Sequence, residues 1–170
     1  VYGGVFNTNE TEEIQGFFPH TLSQSASHRI AAQLFEGLVK FDQSDLSLVP
    51  ALAESWTLDQ TATEYTFVLR KDVHFHDDPC FPDGVGRAFA ASDVVECFTA
   101  LCSYGEMNQM FWLFQDRVLG ADAHYAATSK GEKGPGVKGI EALDEHTLRI
   151  TLTQAWPGFL QVLGHQGCWI

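Results

Sequence analysis

At 170 residues, with 45% hydrophobic and 19% charged side chains, the chain is long enough for one domain and lies in the globular range, which excludes a disordered polypeptide. A formal net charge of -12, from 22 acids against 10 bases, repels phosphate backbones and anionic lipid, so nucleic acid is not an expected partner. No apolar run of about 18 residues could span a bilayer as a helix.

The opening "VYGGVFNTNE" lacks the basic and apolar parts of a signal peptide, so either there was none or it has been removed. "GGVFN" reads as a short first strand and the polar "NTNETEE" as a loop. Ser25 or Ser27 is expected to cap a helix through "HRIAAQLFEGL", where Ile30, Leu34 and Leu38 recur at helical spacing and Gly37 stops it. "LVKFD" turns extended, and Asp42, Ser44 and Asp45 suit a turn. Pro50 in "SLVPALAESWTLD" breaks any long helix, which leaves a bend, one helical turn at "PALAESW", and then a strand.

"EYTFVLRKDVHF" alternates: Tyr65, Phe67 and Leu69 face one way, Thr66, Val68 and Arg70 the other. It is a strand that pairs with "SWTLD" across the turn "DQTAT". "HDDPCFPDGVGRAF" is a long loop, and the next helix takes Ser92 as N-cap, Asp93 in its first turn, and Val94, Cys97, Phe98 and Leu101 as its core stripe. "SYGEMNQMFWLFQDRVLGADAHYAAT" reads as a second helical region interrupted at Gly105 and Gly120. After the loop "SKGEKGPGVKG", two short strands flank the turn "LDEHT", with Leu148, Ile150 and Leu152 alternating with Thr147, Arg149 and Thr151. A last helix starts near Pro157, and the apolar "HQGCWI" suits an interior cut. The fold class is α+β, with strand pairs and helices separated rather than in strict alternation.

Among chemical candidates, "HFHDD" at a strand end places His74 and His76 on one side with Asp77 or Asp78 nearby, a start for a metal site in a small hydrolase. His20, His28, His124, His146 and His165 sit in dissimilar contexts and supply no second motif, so a structural loop anchor is the favoured reading and no cofactor or metal is expected. No G-x-S-x-G occurs, and neither "GVGRAF" nor "GEKGPGVKG" fits a phosphate loop. The cluster "MNQMFWLF" reads as a helix stripe burying Phe111 and Phe114; Met107 and Trp112 are the candidates for adaptable apolar contact with a ligand. Of the four cysteines, Cys80 is the one that could bridge Cys102 in an oxidising compartment, against free, partly buried thiols as the alternative.

"LFEGLVKFD", "LVPALAESW", "YTFVLRKDVHFHDD", "ASDVVECF" and "TLRITLTQAWPGFL" occur in one order over about residues 3–163, and together this resembles solute-binding protein family 5, the extracytoplasmic receptors of ABC importers for oligopeptides, dipeptides and nickel. The resemblance implies part of lobe one of a two-lobed periplasmic-binding-protein fold of class II, cluster C type, a mixed sheet with packed helices. Residues 1–24 would be the opening strand and cleft loop, and residues 25–170 the inserted subdomain and the start of the return to lobe one. By the same resemblance, the second lobe would be absent from these residues. It further implies a binder and not an enzyme, in the periplasm or on a lipid anchor, that takes a peptide or small solute, meets a membrane permease, and is a monomer at full length. The loop after the first strand lines the cleft in that family, which maps ligand contacts onto Asn7, Asn9 and Glu10. "HFHDD" matches the family's F-H-D-G turn, with Asp78 in place of its Gly. A metal-dependent hydrolase using His74, His76 and Asp77, and an interaction module without transport, are the rival readings.

Overall fold

The computed structural model describes residues 3–5, 7, 9, 14, 16–22 and 24–170. Two antiparallel sheets carry the chain. The smaller pairs β1 (Val39–Phe41) with β2 (Leu48–Pro50). The larger has the order β3-β4-β6-β5, from β3 (Ala53–Leu58), β4 (Glu64–Leu69), β5 (Ile140–Ala142) and β6 (Thr147–Thr151).

Period-two patterning sets this sheet. Tyr65, Phe67 and Leu69 on β4 and Leu148 and Ile150 on β6 are buried, while their alternates are only partly so. Phe67 faces Leu148 and Tyr65 faces Ile150 across the central pair, so the register aligns the apolar rows. Helix α2 (Ala91–Leu101) covers that face through Val94, Phe98 and Leu101. Phe98 meets Phe114 edge-on at 5.1 Å, Phe114 lies 6.0 Å from Phe159, and Phe159 lies 5.4 Å from Tyr65, so an aromatic chain runs from α2 back to the sheet.

Polar side chains fix the turns. Asp42 accepts from the backbone N–H of Ser44 at 2.7 Å, and Asp45 from that of Ser47 at 2.9 Å, which closes the β1–β2 hairpin with Leu46 at φ 61°. Asp59 does the same for the β3–β4 hairpin, accepting from the N–H groups of Thr61, Thr63 and Glu64. In the long loop after β4, Asp77 accepts from the N–H of Gly86 at 2.9 Å and Asp78 from that of Cys80 at 2.9 Å.

Several expected elements differ. The first helix, α1 (Ser25–Ala31), begins after Gln24 and stops well short of Gly37. Its expected last turn is taken by distant backbone: Glu36 exchanges hydrogen bonds with Ile170, and the carbonyls of Gly37 and Leu38 accept from residues 51–53. Leu34 is therefore exposed whereas Leu38 is buried. No helical turn forms at "PALAESW", because Ala53 and the residues after it pair with β4. Ala90, not Ser92, occupies the N-cap of α2, and the Asp93 carboxylate accepts from the Ala90 N–H at 2.9 Å.

The second helical region is mostly irregular: a 3₁₀ turn at Phe111–Leu113, then helix α3 (Ala121–Thr128). Asn108 interrupts it by donating to the carbonyls of Leu101 and Ser103 and accepting from the Met110 N–H. The last helix, α4 (Phe159–Leu163), starts two residues past Pro157. Gly3, Gly4, Val5 and Asn7 are in no strand, and Phe6 of the expected first strand lies outside the described residues.

Candidate functional site

Two places on the molecule collect polar and aromatic groups. One is a hollow of about 600 Å³ between Phe35, Phe41, Phe89 and Trp169, with His74 and His76 on its wall. Glu36 and Lys40 on the same wall pair with each other at 3.4 Å, which neutralises its charge. Both histidines are exposed, and among the described residues no group of three His, Cys, Asp or Glu is placed to hold a metal ion. The hydrolase reading therefore has no ligand set, and Asp77 is engaged by Gly86.

The second place is built by short 3₁₀ turns. The turn Phe111–Leu113 buries Leu113 and leaves Trp112 half exposed. The turn Gln166–Cys168 packs beneath it: a Cβ at Gly167 would lie 2.8 Å from Leu113 Cδ1 and 3.0 Å from Met110 Cγ, so glycine permits the approach. His165, which caps that turn, thereby meets Trp112 edge-on with centroids 5.7 Å apart. A third turn, Pro19–Thr21, packs on the second, and the His20 carbonyl accepts from the Gln109 N–H at 3.1 Å.

The electrostatics favour a neutral His165. Burial pushes its pKa down, and the charge of nearby His28 adds to this. Its Nδ1 accepts from the Gly167 N–H at 3.0 Å, so the proton of the neutral ring is on Nε2. Burial also lowers the pKa of His20. On α1, one helix face carries Gln24, Ser27 and His28, whose Oε1, Oγ and Nδ1 are buried without a hydrogen-bond partner. Buried polar atoms of this kind are costly unless something pairs with them.

A rival constellation is the Ser103–His124 pair. Ser103 Oγ lies 3.0 Å from His124 Nε2, but its own proton goes to the Thr99 carbonyl at 2.8 Å. His124 Nδ1 accepts from the Gly136 N–H at 3.0 Å, and the ring is 5% exposed. This ring anchors the Gly and Lys-rich loop and faces no cleft.

Of the residues anticipated as ligand contacts, Trp112 lies in the second cluster, and Met107 is 58% exposed on the same segment. Asn7 and Asn9 are exposed, and Glu10 lies outside the described residues. Cys80 is exposed in its loop and Cys102 buried at the end of α2; like Cys97 and Cys168, both are free thiols in this structure. Sequence reasoning missed His165, His28 and Ser27. Only the small Gly167 beside His165 hinted at a close approach.

A family model described as "Bacterial extracellular solute-binding proteins, family 5 Middle" matches residues 47–169. The chain belongs to this family. It is 33% identical over 158 residues to heme-binding protein A of Haemophilus influenzae, covering 88% of this chain and 25% of that protein. It is 31% identical over 154 residues to di/tripeptide-binding protein 1 of Pseudomonas aeruginosa, covering 87% and 26%. The substrate-binding domain of an oligopeptide ABC transporter from Bacillus anthracis superposes with a TM-score of 0.76 at 28% identity, over 96% of this chain and 29% of that one. This family 5 chain thus spans about a quarter of the length of its curated relatives, and its fold is part of one lobe of the two-lobed periplasmic binding proteins.

Proposed function

We propose that this chain is part of the substrate-binding component of an ABC importer, which captures peptides outside the cytoplasmic membrane and delivers them to a membrane permease. The observation that carries this reading is the family match over residues 47–169, joined to relatives named for di- and tripeptide binding. The site's chemistry agrees with binding rather than catalysis. The Nε2–H of His165 is a donor suited to a carbonyl or carboxylate, and the half-exposed indole of Trp112 supplies apolar area beside it.

Trp112, Met107, Asn7, Asn9 and Glu10 are the proposed ligand contacts, with residues 1–24 as the cleft-lining part of lobe one and residues 25–170 as its inserted subdomain. The whole protein acts as a monomer in the periplasm or on a lipid anchor. Lobe closure over the ligand does the work, and no covalent step is needed.

Calorimetry on the full-length protein tests the proposal. Titration with defined di-, tri- and oligopeptides should give saturable binding at one site. Binding of heme alone, with no heat from any peptide, would overturn the peptide reading in favour of the chemistry named for the Haemophilus influenzae relative.

A further inference from the structure

Three of the four cysteines, all free thiols in this structure, converge. Cys97 and Cys102 lie on and just past α2, and Cys168 ends the 3₁₀ turn that packs against that helix. Cys97 Sγ lies 3.5 Å from the carbonyl oxygen of Trp169, the residue next to Cys168. Cys102 and Cys168 are both fully buried in the same core, with Cys97 packed against it. Burial pushes the Cys97 thiol up to about 11 and, with the charge of Asp122 adding, that of Cys102 to about 12. Burial raises Cys168 as well, and the neighbouring Cys97 and Cys102 reinforce it. Such thiols are inert once folded.

We propose that Cys97 and Cys168 form a disulfide in the mature protein, a staple that fixes the His165 turn to helix α2. This rests on the reading above that the protein works outside the cytoplasmic membrane, where disulfides persist. The partner of Cys168 is Cys97 and not Cys102, because the Cys97 sulfur already touches the backbone of the residue that follows Cys168.

The oxidant is an external disulfide, on a thiol oxidase or a small molecule. One cysteine thiolate attacks an oxidant sulfur, giving a mixed disulfide and releasing one oxidant thiolate. The second cysteine, as thiolate, attacks the protein sulfur of that mixed disulfide and expels the other oxidant sulfur. Two thiols lose two protons and two electrons, one S–S bond forms, and the oxidant disulfide is reduced to two thiols. Burial confines the exchange to folding, before residues 166–170 settle on α2.

The test refolds full-length, reduced protein in a reduced and oxidised glutathione buffer, alkylates the remaining thiols, and maps the peptides by mass spectrometry. The expected product links the Cys97 and Cys168 peptides, leaves Cys80 and Cys102 alkylated, and unfolds at higher guanidinium than its reduced form. Cys97→Ala, a small truncation at a partly buried position on the edge of the core, should fold and leave Cys168 alkylated. Alkylation of both Cys97 and Cys168 in the refolded wild type, or linkage of Cys102 to Cys168, overturns the proposal.

Fractionation of the source cells separates this idea from the importer reading. Protein found outside the cytoplasmic membrane with both thiols alkylated overturns the staple alone. Protein confined to the cytoplasm overturns the importer reading and the staple in the mature protein together.

Discussion

At the turn between β3 and β4, one carboxylate does the work of several backbone partners. The Thr61 hydroxyl, then the Glu64 N–H, with smaller help from the N–H groups of Thr61 and Thr63, hold Asp59 down to about 2 against the opposing effect of desolvation. A carboxyl whose folded pKa is depressed adds stability that is complete above its unfolded value and is lost as pH falls through the folded one. The acid unfolding of Asp59→Ala should therefore lack a component that the parent shows between about pH 4 and pH 2. Denaturant midpoints measured across that range should differ between the two proteins at pH 5 to 7 and converge near pH 2. His124 is a second single-residue anchor, joined to Ser103 and to the Gly136 N–H. His124→Ala leaves the Gly136 N–H without its acceptor and opens a void beside Gly134, so a loss of about 2 kcal/mol is expected in urea titration.

Among the elements, α2 has the clearest energetic role, since its fully buried Phe98 meets Phe114 edge-on and starts the aromatic chain that runs through Phe159 to Tyr65 on the sheet. Phe98→Ala should cost about 3–5 kcal/mol by equilibrium unfolding, whereas a change at exposed Glu96 on the same helix should cost almost nothing. The core face of α2 and the alternation of β4 and β6 were legible in the sequence because burial on one side imposes a fixed period. The Asx turns at Asp42 and Asp59 were legible for a related reason: they are local, and their partners lie within five residues. The length of α1 was not legible. Propensity continues through Leu34, but the backbone of residues 36–38 is claimed by residues more than a dozen positions away. The Met107 to Phe114 segment misled for the converse reason, since its apolar pattern resembles a helix stripe while Asn108 diverts the local hydrogen bonds.

For the molecule as a whole, the site is a product of tertiary placement. His28 and His165 are separated by most of the chain, and no motif announces them as neighbours; only packing of three short turns unites them with Trp112. The family, by contrast, was readable, because its motifs are the conserved-looking turns and strands of the scaffold. Trp112 is half exposed, so Trp112→Ala in the full-length protein should leave the melting temperature within a degree or so while weakening peptide binding about tenfold in calorimetry. An unchanged affinity would remove Trp112 from the ligand contacts.

Backbone pairing between Glu36 and Ile170, with bonds of 3.0 and 3.4 Å, also bears on how the chain is made. A contact between positions so far apart in sequence raises the contact order and slows the search for the native topology. During synthesis the β1–β2 hairpin emerges early, but the strand edge beside it stays open until residue 170 has left the ribosome. That interval exposes Phe41 and its neighbours to nascent-chain capture, so a ribosome-associated chaperone should hold the stalled product and release it once Ile170 has emerged.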